Sequence, residues 1–306
     1  MALPVDCVLG QSCYIQQYMD HDPTAAVADF AYGDLAYDGH RGTDFALPDL
    51  FAMESGVTVT AVAKATVVGV RDDVTDKIYT AEADLHGQDC GNGVLLDHGE
   101  GWQTQYCHLR SGSLKVHVGD QVEQGAPLGL IGLSGRTQFP HLHLAVRRDG
   151  LDVDPFAPSG GATCDQTNAH GTAVENFVAQ SLWREPIPYQ PAGLISVGLT
   201  VDTPDYQSLR QGGAAEALIS RARQIHLVAY GWGFRAGDQL VFDLLGPDDF
   251  AINATQVLDK DQAIAMRYIG KRFAKAGLPA GRYNARVTLT REGETLASRS
   301  LTAVAQ

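Results

Sequence analysis

Four histidines and one aspartate, spread over three short stretches, are the residues of this chain best suited to chemistry. They are His40 and Asp44 in the first stretch, His108 in the second, and His141 and His143 in the third. Imidazole nitrogens and a carboxylate are ligands of a catalytic zinc ion, which needs three protein ligands and one open position for water. The set therefore predicts a catalytic metal site with two histidines left for proton transfer.

The residues around His141 and His143 predict a strand. From His141 to Val146, polar and apolar side chains at first alternate, which is the period of a half-buried strand. Both imidazoles would then project from one face, while Leu142 and Leu144 face the core. One strand can supply a metal ligand together with a neighbouring acid or base.

The other two stretches predict a hairpin and a turn. Residues 93–96 and 102–107 are strand-like and flank a glycine-rich turn, so His108 should lie near the end of the second strand of a β-hairpin. The glycines within residues 39–44 make a helix unfavourable there. We expect a turn or an irregular strand at that position.

Further glycine and polar landmarks accompany the five residues in a fixed order. These landmark stretches are 40–44 (HRGTD), 91–99 (GNGVLLDHG), 104–109 (TQYCHL), 118–125 (VGDQVEQG), 132–135 (GLSG) and 140–143 (PHLH). Together they resemble the lysostaphin-type (LytM-like) zinc metalloendopeptidase family across roughly residues 35–156. The resemblance implies that His40, Asp44 and His143 bind one zinc ion, and that His108 and His141 are catalytic groups flanking the metal-bound water.

The resemblance also implies a function, which is the hydrolysis of peptide bonds in peptidoglycan cross-links by a metal-activated water. Some relatives have lost metal ligands and act only as activators of other wall enzymes, whereas all five positions are intact here. The alternative is a non-catalytic peptidoglycan-binding or amidase-activating module, which would have no need of His108 and His141. Glycine bridges, meso-diaminopimelate cross-links and non-wall polypeptides all stay open as the source of the bond that is cleaved, with cross-links preferred.

Histidines outside the five are expected to have no catalytic role. These histidines are His21, His86, His117, His170 and His226. His98 follows a predicted strand, and a structural hydrogen bond is the expectation there.

Composition limits the classes of partner. The chain has 306 residues, 44% of them hydrophobic and 19% charged, which is typical of a soluble globular protein of about two domains. Its net charge of −13 disfavours nucleic acid as a partner. No run approaches the roughly twenty apolar residues of a membrane helix, so membrane insertion is not expected.

We expect an exported protein, periplasmic or secreted, whose signal peptide is absent from this chain.

The cysteines predict two disulfides. Cys7 and Cys13 are close in sequence, and Cys90 and Cys107 flank the predicted hairpin, whose facing strands could bring them within bridging distance. Two disulfides would fit an oxidising compartment. Cys164 would be left free. Metal binding by some of the cysteines is the alternative, although the chain contains no Cys-x-x-Cys pair.

The whole chain predicts an all-β protein of two domains. A LytM-like antiparallel β-sheet peptidase domain with an N-terminal extension should occupy residues 1–165, and a linker with a short helix residues 166–190. Residues 191–306 contain short strand-like runs separated by turn signals, which favour an immunoglobulin-like β-sandwich. That domain is a candidate site for a protein partner. Residues 1–30 could cover the active-site groove.

Overall fold

A computed structural model describes residues 1–81, 85–159, 181–212, 221–273 and 277–306. The chain divides into two compact units, Met1–Tyr189 and Gln190–Gln306. Strands dominate both units, which confirms the all-β class. No helix in these described ranges is long and apolar enough to cross a membrane. Cys164 and most of the short helix predicted before Trp183 lie outside the described residues.

An antiparallel eight-stranded sheet is the main element of the first unit. Its strands are β1 (Tyr14–Gln17), β2 (Thr43–Ala46), β4 (Ala65–Arg71), β5 (Asn92–Gly99), β6 (Trp102–Leu109), β7 (Gln121–Val122), β9 (His141–Arg148) and β10 (Leu151–Asp152). They follow the order β1-β2-β9-β6-β5-β4-β7, and β10 pairs with β9. Strands β3 (Thr58–Thr60) and β8 (Pro127–Leu130) form a separate pair, and helix α1 (Leu50–Ser55) begins after the cap residue Asp49.

The predicted strand and hairpin are both present. On β9, Leu142 and Leu144 are fully buried in the core. Strands β5 and β6 form the antiparallel hairpin. His98, in β5, donates from Nδ1 to the carbonyl of Lys64, and its Nε2 lies 2.8 Å from the hydroxyl of Thr104, as expected for a structural histidine.

The N-terminal residues are part of the fold of the first unit. Strand β1 pairs with β2, which contains Asp44. Directly after β1, the ring of Tyr18 packs against Phe30, Phe156 and Tyr189, with ring centroids 5.1 to 5.5 Å apart. Deletion of residues 1–30 would therefore remove an edge strand as well as any cover over the groove. The covering role stays a prediction.

Both predicted disulfides are present. Cys7 is bonded to Cys13, and Cys90 is bonded to Cys107. The second disulfide joins the loop before β5 to the C-terminal end of β6. It therefore ties down the segment that contains His108.

The second unit has two antiparallel sheets. One has the order β11-β12-β15 and the other the order β14-β13-β16-β17. The strands are β11 (Gly193–Thr200), β12 (Gln224–Phe234), β13 (Gln239–Leu245), β14 (Ala251–Val257), β15 (Gln262–Arg272), β16 (Gly281–Arg291) and β17 (Glu294–Ala305), with a short helix α2 (Tyr206–Arg210) after β11. Buried residues of both sheets, including Leu227 and Phe242, form one core. The immunoglobulin-like assignment and the partner-binding role stay predictions.

Candidate metal centre and active site

Three of the five predicted residues bring one ligand atom each to a common point. His40 Nε2 lies 3.2 Å from Asp44 Oδ1 and 3.1 Å from His143 Nδ1, and the distance from His143 Nδ1 to Asp44 Oδ1 is 2.8 Å. His40 and Asp44 are buried, and His143 is partly exposed. Such a triangle of two nitrogens and one carboxylate oxygen could hold a metal ion.

The pairing of β2 with β9 places two of these residues side by side. In the register of the two strands, Asp44 is directly opposite His143. Gly42 precedes β2 and lies so close to β9 that a Cβ there would be 2.5 Å from the Leu144 carbonyl oxygen and 2.8 Å from the His143 ring. Glycine at this position allows the close approach of the chain to the His143 imidazole.

His40 is oriented by its own surroundings. Its Nδ1 lies 2.6 Å from the carbonyl oxygen of Tyr18, so the Nδ1–H donates there and the Nε2 lone pair faces the triangle. The ring of Tyr37 stacks on the imidazole, with centroids 4.3 Å apart. A carbonyl contact of this kind fixes both the tautomer and the direction of a ligand histidine.

His141 and His108 flank the triangle. His141 Nε2 lies 3.6 Å from Asp44 Oδ1, and the rings of His108 and His141 have centroids 4.6 Å apart. The Nδ1 of His141 contacts the carbonyl of Phe139 at 2.9 Å and the hydroxyl of Thr137 at 3.0 Å. These contacts leave an unprotonated Nε2 on the side of His141 that faces Asp44.

A bulge in β6 aims His108 at the site. The β5–β6 register shifts between the pairs Asn92–Leu109 and Val94–Tyr106, so β6 carries one extra residue there. His108 has a φ of 64°, in the left-handed region that non-glycine residues rarely adopt. Its Nδ1 lies 2.8 Å from the carbonyl oxygen of Ser134, which leaves Nε2 unprotonated as in His141. Residues held in such sparsely populated backbone conformations are concentrated at functional sites.

Burial and neighbouring charges tune the protonation of the five residues. Burial, reinforced by the imidazoles of His141 and His143, lowers the pKa of His108 well below its ordinary value. Burial also lowers the pKa of His141, although Asp44 opposes it. Burial alone would raise the pKa of Asp44, but the His40 and His141 imidazoles outweigh it and hold that pKa well below its ordinary value. At neutral pH, the site contains an ionised carboxylate and two neutral imidazoles.

The pKa of His40 is shifted in the opposite direction, upward. Burial would lower its pKa, but the Asp44 carboxylate and the hydrogen bond to the Tyr18 carbonyl raise it above its ordinary value. The carboxylate is therefore the centre of negative charge to which a cation in this site would be attracted.

The structure thus brings together all five predicted residues. It adds contacts that sequence reasoning missed, namely Tyr37 over His40, Phe139 stacked on His141 at a centroid distance of 4.4 Å, and Thr137 beside the same ring. Tyr37 and Phe139 are each within three residues of a predicted histidine, and that proximity is the only sequence signal for them. The backbone carbonyls that accept hydrogen bonds from the histidine rings give no signal in the amino-acid sequence.

Known proteins match this region of the chain. The model of Peptidase family M23 matches residues 38–155, which include all five site residues. The matched range agrees with the extent of the resemblance found in the sequence.

Curated relatives match over part of their length. "Peptidoglycan DD-endopeptidase ShyC" of Vibrio cholerae serotype O1 is 28% identical over 145 residues, which are 47% of this chain and 28% of that protein. "Peptidoglycan DD-endopeptidase ShyA" of the same organism is 33% identical over 115 residues, or 38% of this chain and 22% of that protein. "Murein hydrolase activator EnvC" of Escherichia coli K12 is 39% identical over 62 residues, or 20% of this chain and 14% of that protein. The chain spans less than a third of the length of each.

Proposed function

We propose that the protein is a zinc-dependent endopeptidase that hydrolyses peptide bonds in peptidoglycan cross-links, since the model of Peptidase family M23 matches residues 38–155. The observation that carries the proposal is the convergence of two neutral imidazoles, His108 and His141, on a triangle of metal-ligating atoms. Two relatives named as peptidoglycan DD-endopeptidases support the substrate class.

The donor set fits zinc. Bonds of about 2.0 to 2.2 Å in a tetrahedral arrangement separate neighbouring ligand atoms by roughly 3.3 to 3.6 Å. The separations among His40 Nε2, Asp44 Oδ1 and His143 Nδ1 are 2.8, 3.1 and 3.2 Å. An outward shift of about half an ångström or less would therefore accommodate the ion between these three residues.

The chemistry divides between the ion and the two flanking histidines. When bound, zinc lowers the pKa of a coordinated water and polarises the scissile carbonyl. His108 and His141 each point a lone pair at Nε2 toward the site, because Nδ1 donates to a backbone carbonyl. One of the pair takes the proton of the attacking water and, once protonated, donates to the leaving amine. The other can support the negative charge that develops on the carbonyl oxygen only as an imidazolium, after its Nε2 has gained a proton.

The second candidate function is a non-catalytic activator of wall hydrolases, favoured by the short match to EnvC. A binding module has no use for two neutral buried imidazoles beside a metal triangle, one of them held at a φ of 64°. The complete set of five residues therefore favours hydrolysis.

One substitution separates these two functions. His108→Ala removes an acid–base group but none of the three proposed metal ligands, so it should keep zinc and lower the hydrolysis of purified sacculi at least about 100-fold. His117→Ala, at a side chain that is 91% exposed, is the matched control and should behave as wild type. The release of new amino groups gives the rate. Full activity of His108→Ala would remove the catalytic assignment.

Export is part of the same proposal. Peptidoglycan lies outside the cytoplasm, and the disulfides Cys7–Cys13 and Cys90–Cys107 suit an oxidising compartment.

A further inference from the structure

We propose that Arg147 and Arg41, arranged around Asp152, form a subsite that binds a free carboxylate of the peptide substrate. The inference rests on the proposed function and adds to it an acidic substrate and the residues that recognise it.

Arg147 lies on the same face of the sheet as the metal triangle. Side chains alternate along β9, so His141, His143 and Arg147 point to one side, while Leu142 and Leu144 are buried on the other. Four residues at about 3.3 Å per residue separate the Cα atoms of His143 and Arg147 by roughly 13 Å. An extended peptide across the metal would reach Arg147 within about four residues of the scissile bond.

The guanidinium of Arg147 is held in place by two side chains. Its Nε donates to Asp152 Oδ1 at 3.0 Å, and its Nη1 donates to Gln105 Oε1 at 2.9 Å. Gln105 lies between the arginine and the disulfide, since its Nε2 is 3.6 Å from Cys90 Sγ. A guanidinium group fixed in this way loses little side-chain entropy when it binds a planar anion.

The local charge is positive although the chain as a whole is negative. Arg41 Nε lies 3.8 Å from Asp152 Oδ2, so one carboxylate stands between two guanidinium groups and leaves one net positive charge. The side chain of Arg147 is 30% exposed and that of Arg41 is 76% exposed, so both are accessible to a ligand. A protein with a net charge of −13 needs such a local positive site to bind an acidic peptide.

A purely structural role for Arg147 makes a different prediction. Arg147 and Asp152 are cross-strand partners of β9 and β10, so their ion pair could simply stabilise that hairpin. A stabilising ion pair of this kind does not involve Arg41, and its loss would affect the cleavage of acidic and neutral substrates alike. A carboxylate subsite would instead change the preference between them.

The preference can be measured with one pair of probes. The first is a purified meso-diaminopimelate-type muropeptide dimer, and the second is the same dimer after conversion of its free carboxyls to carboxamides. Wild type should have a kcat/KM about tenfold or more higher for the acidic dimer, because charge-assisted hydrogen bonds are the strong ones. Arg147→Gln should reduce that ratio about tenfold, and Arg41→Gln should reduce it by a smaller factor.

Arg148→Gln is the matched control. Arg148 is the next residue on β9, but its guanidinium lies over the Trp102 ring, 5.1 Å from the centroid. It should keep the wild-type ratio. An unchanged ratio in Arg147→Gln, or equal rates of wild type on the two dimers, would overturn the subsite.

A binding experiment keeps this test independent of hydrolysis. In the His108→Ala protein, the Kd for the two dimers should differ by about tenfold, and adding Arg147→Gln should remove the difference. If wild type cleaves neither dimer but this difference in Kd is found, the hydrolase proposal fails while the subsite stands. Equal Kd values for the two dimers would refute the subsite.

Discussion

His108 and His141 are each fixed by one side of the ring, which determines what the other side can do. Backbone carbonyls of Ser134 and Phe139 accept from the Nδ1–H groups. Each Nε2 therefore carries a lone pair rather than a proton. Burial stabilises the same neutral form by lowering both pKa values. At pH 7 both imidazoles are therefore neutral, and each can accept a proton at Nε2.

The pH dependence of hydrolysis follows from this direction. A base with a lowered pKa is unprotonated above that pKa, and its contribution is lost only as the pH falls through it. We expect the acid limb of kcat/KM to lie below the ordinary histidine pKa of about 6.5. Activity measured from acid to neutral pH tests this expectation, with the zinc content of each sample determined to exclude metal loss. An acid limb above about 6.5 in zinc-loaded protein would contradict it.

The residues of the site were more predictable than their surroundings. The order of the glycine and polar landmarks around the histidines and Asp44 resembles a known family, so the five residues could be identified from the sequence. The carbonyl groups of Tyr18, Ser134 and Phe139, which orient three of the rings, could not, because every residue has a carbonyl. Only the folded backbone determines which carbonyl lies beside which ring.

At the scale of elements, β6 is the strand on which the site depends most. It pairs with β5 and β9, and it changes register just before its last residue, Leu109. The disulfide from Cys107 to Cys90 lies within this irregular segment, and the His108 N–H donates to the Cys90 carbonyl at 2.8 Å. The bond therefore constrains the backbone on which the His108 imidazole is presented.

Removal of this disulfide should affect both stability and activity. Its two cysteines are 17 residues apart, and a loop of that length predicts a loss of about 3 kcal/mol in the free energy of unfolding for the Cys90→Ser, Cys107→Ser double variant. We also expect a lower kcat/KM, because His108 loses an anchor. Denaturant unfolding and muropeptide release provide the two measurements.

The other disulfide is the control for this prediction. Cys7 and Cys13 are only 6 residues apart, so Cys7→Ser, Cys13→Ser should cost about 2 kcal/mol. Activity should change little in that variant. Equal losses of activity in the two double variants would show that the position of Cys107 beside His108 has no special effect.

Strand prediction succeeded where the apolar pattern was strong. The sequence of Gln239–Leu245 is one of the strand-like runs of residues 191–306, and it coincides with β13, which has alternate buried residues. Strand β14, Ala251–Val257, was missed because none of its residues is fully buried and its sequence, AINATQV, has few large apolar side chains. Among the described strands, it lies at the edge of its sheet and pairs with β13 alone. Its backbone hydrogen bonds to β13 hold it in place, and Ile252 packs against the core from one side.

At the scale of the molecule, the chain consists of two units that each have their own core. All five candidate site residues and both arginines of the proposed carboxylate subsite belong to Met1–Tyr189. The second unit, Gln190–Gln306, has a continuous core shared by two sheets. Such a division is typical of domains that fold independently.

Truncation tests whether the site depends on the second unit. Residues 1–189 alone should give a cooperative thermal transition, bind one zinc ion per chain and cleave isolated muropeptide dimers within about threefold of the full chain. The reason is that the ligands and their supporting strands are all within this unit. A folded, zinc-loaded fragment without activity would show that the second unit takes part in the reaction.

The most direct test of the central claim joins metal content to bond cleavage in one sample. Wild type and His143→Ala are incubated with a purified cross-linked muropeptide dimer, and mass spectrometry follows the products while elemental analysis measures the metal. We predict about one zinc per wild-type chain, conversion of the dimer to monomers with the gain of one water, and neither result for His143→Ala. Zinc-loaded wild type that leaves every type of cross-link intact, or undiminished cleavage by metal-free His143→Ala, would contradict a zinc endopeptidase.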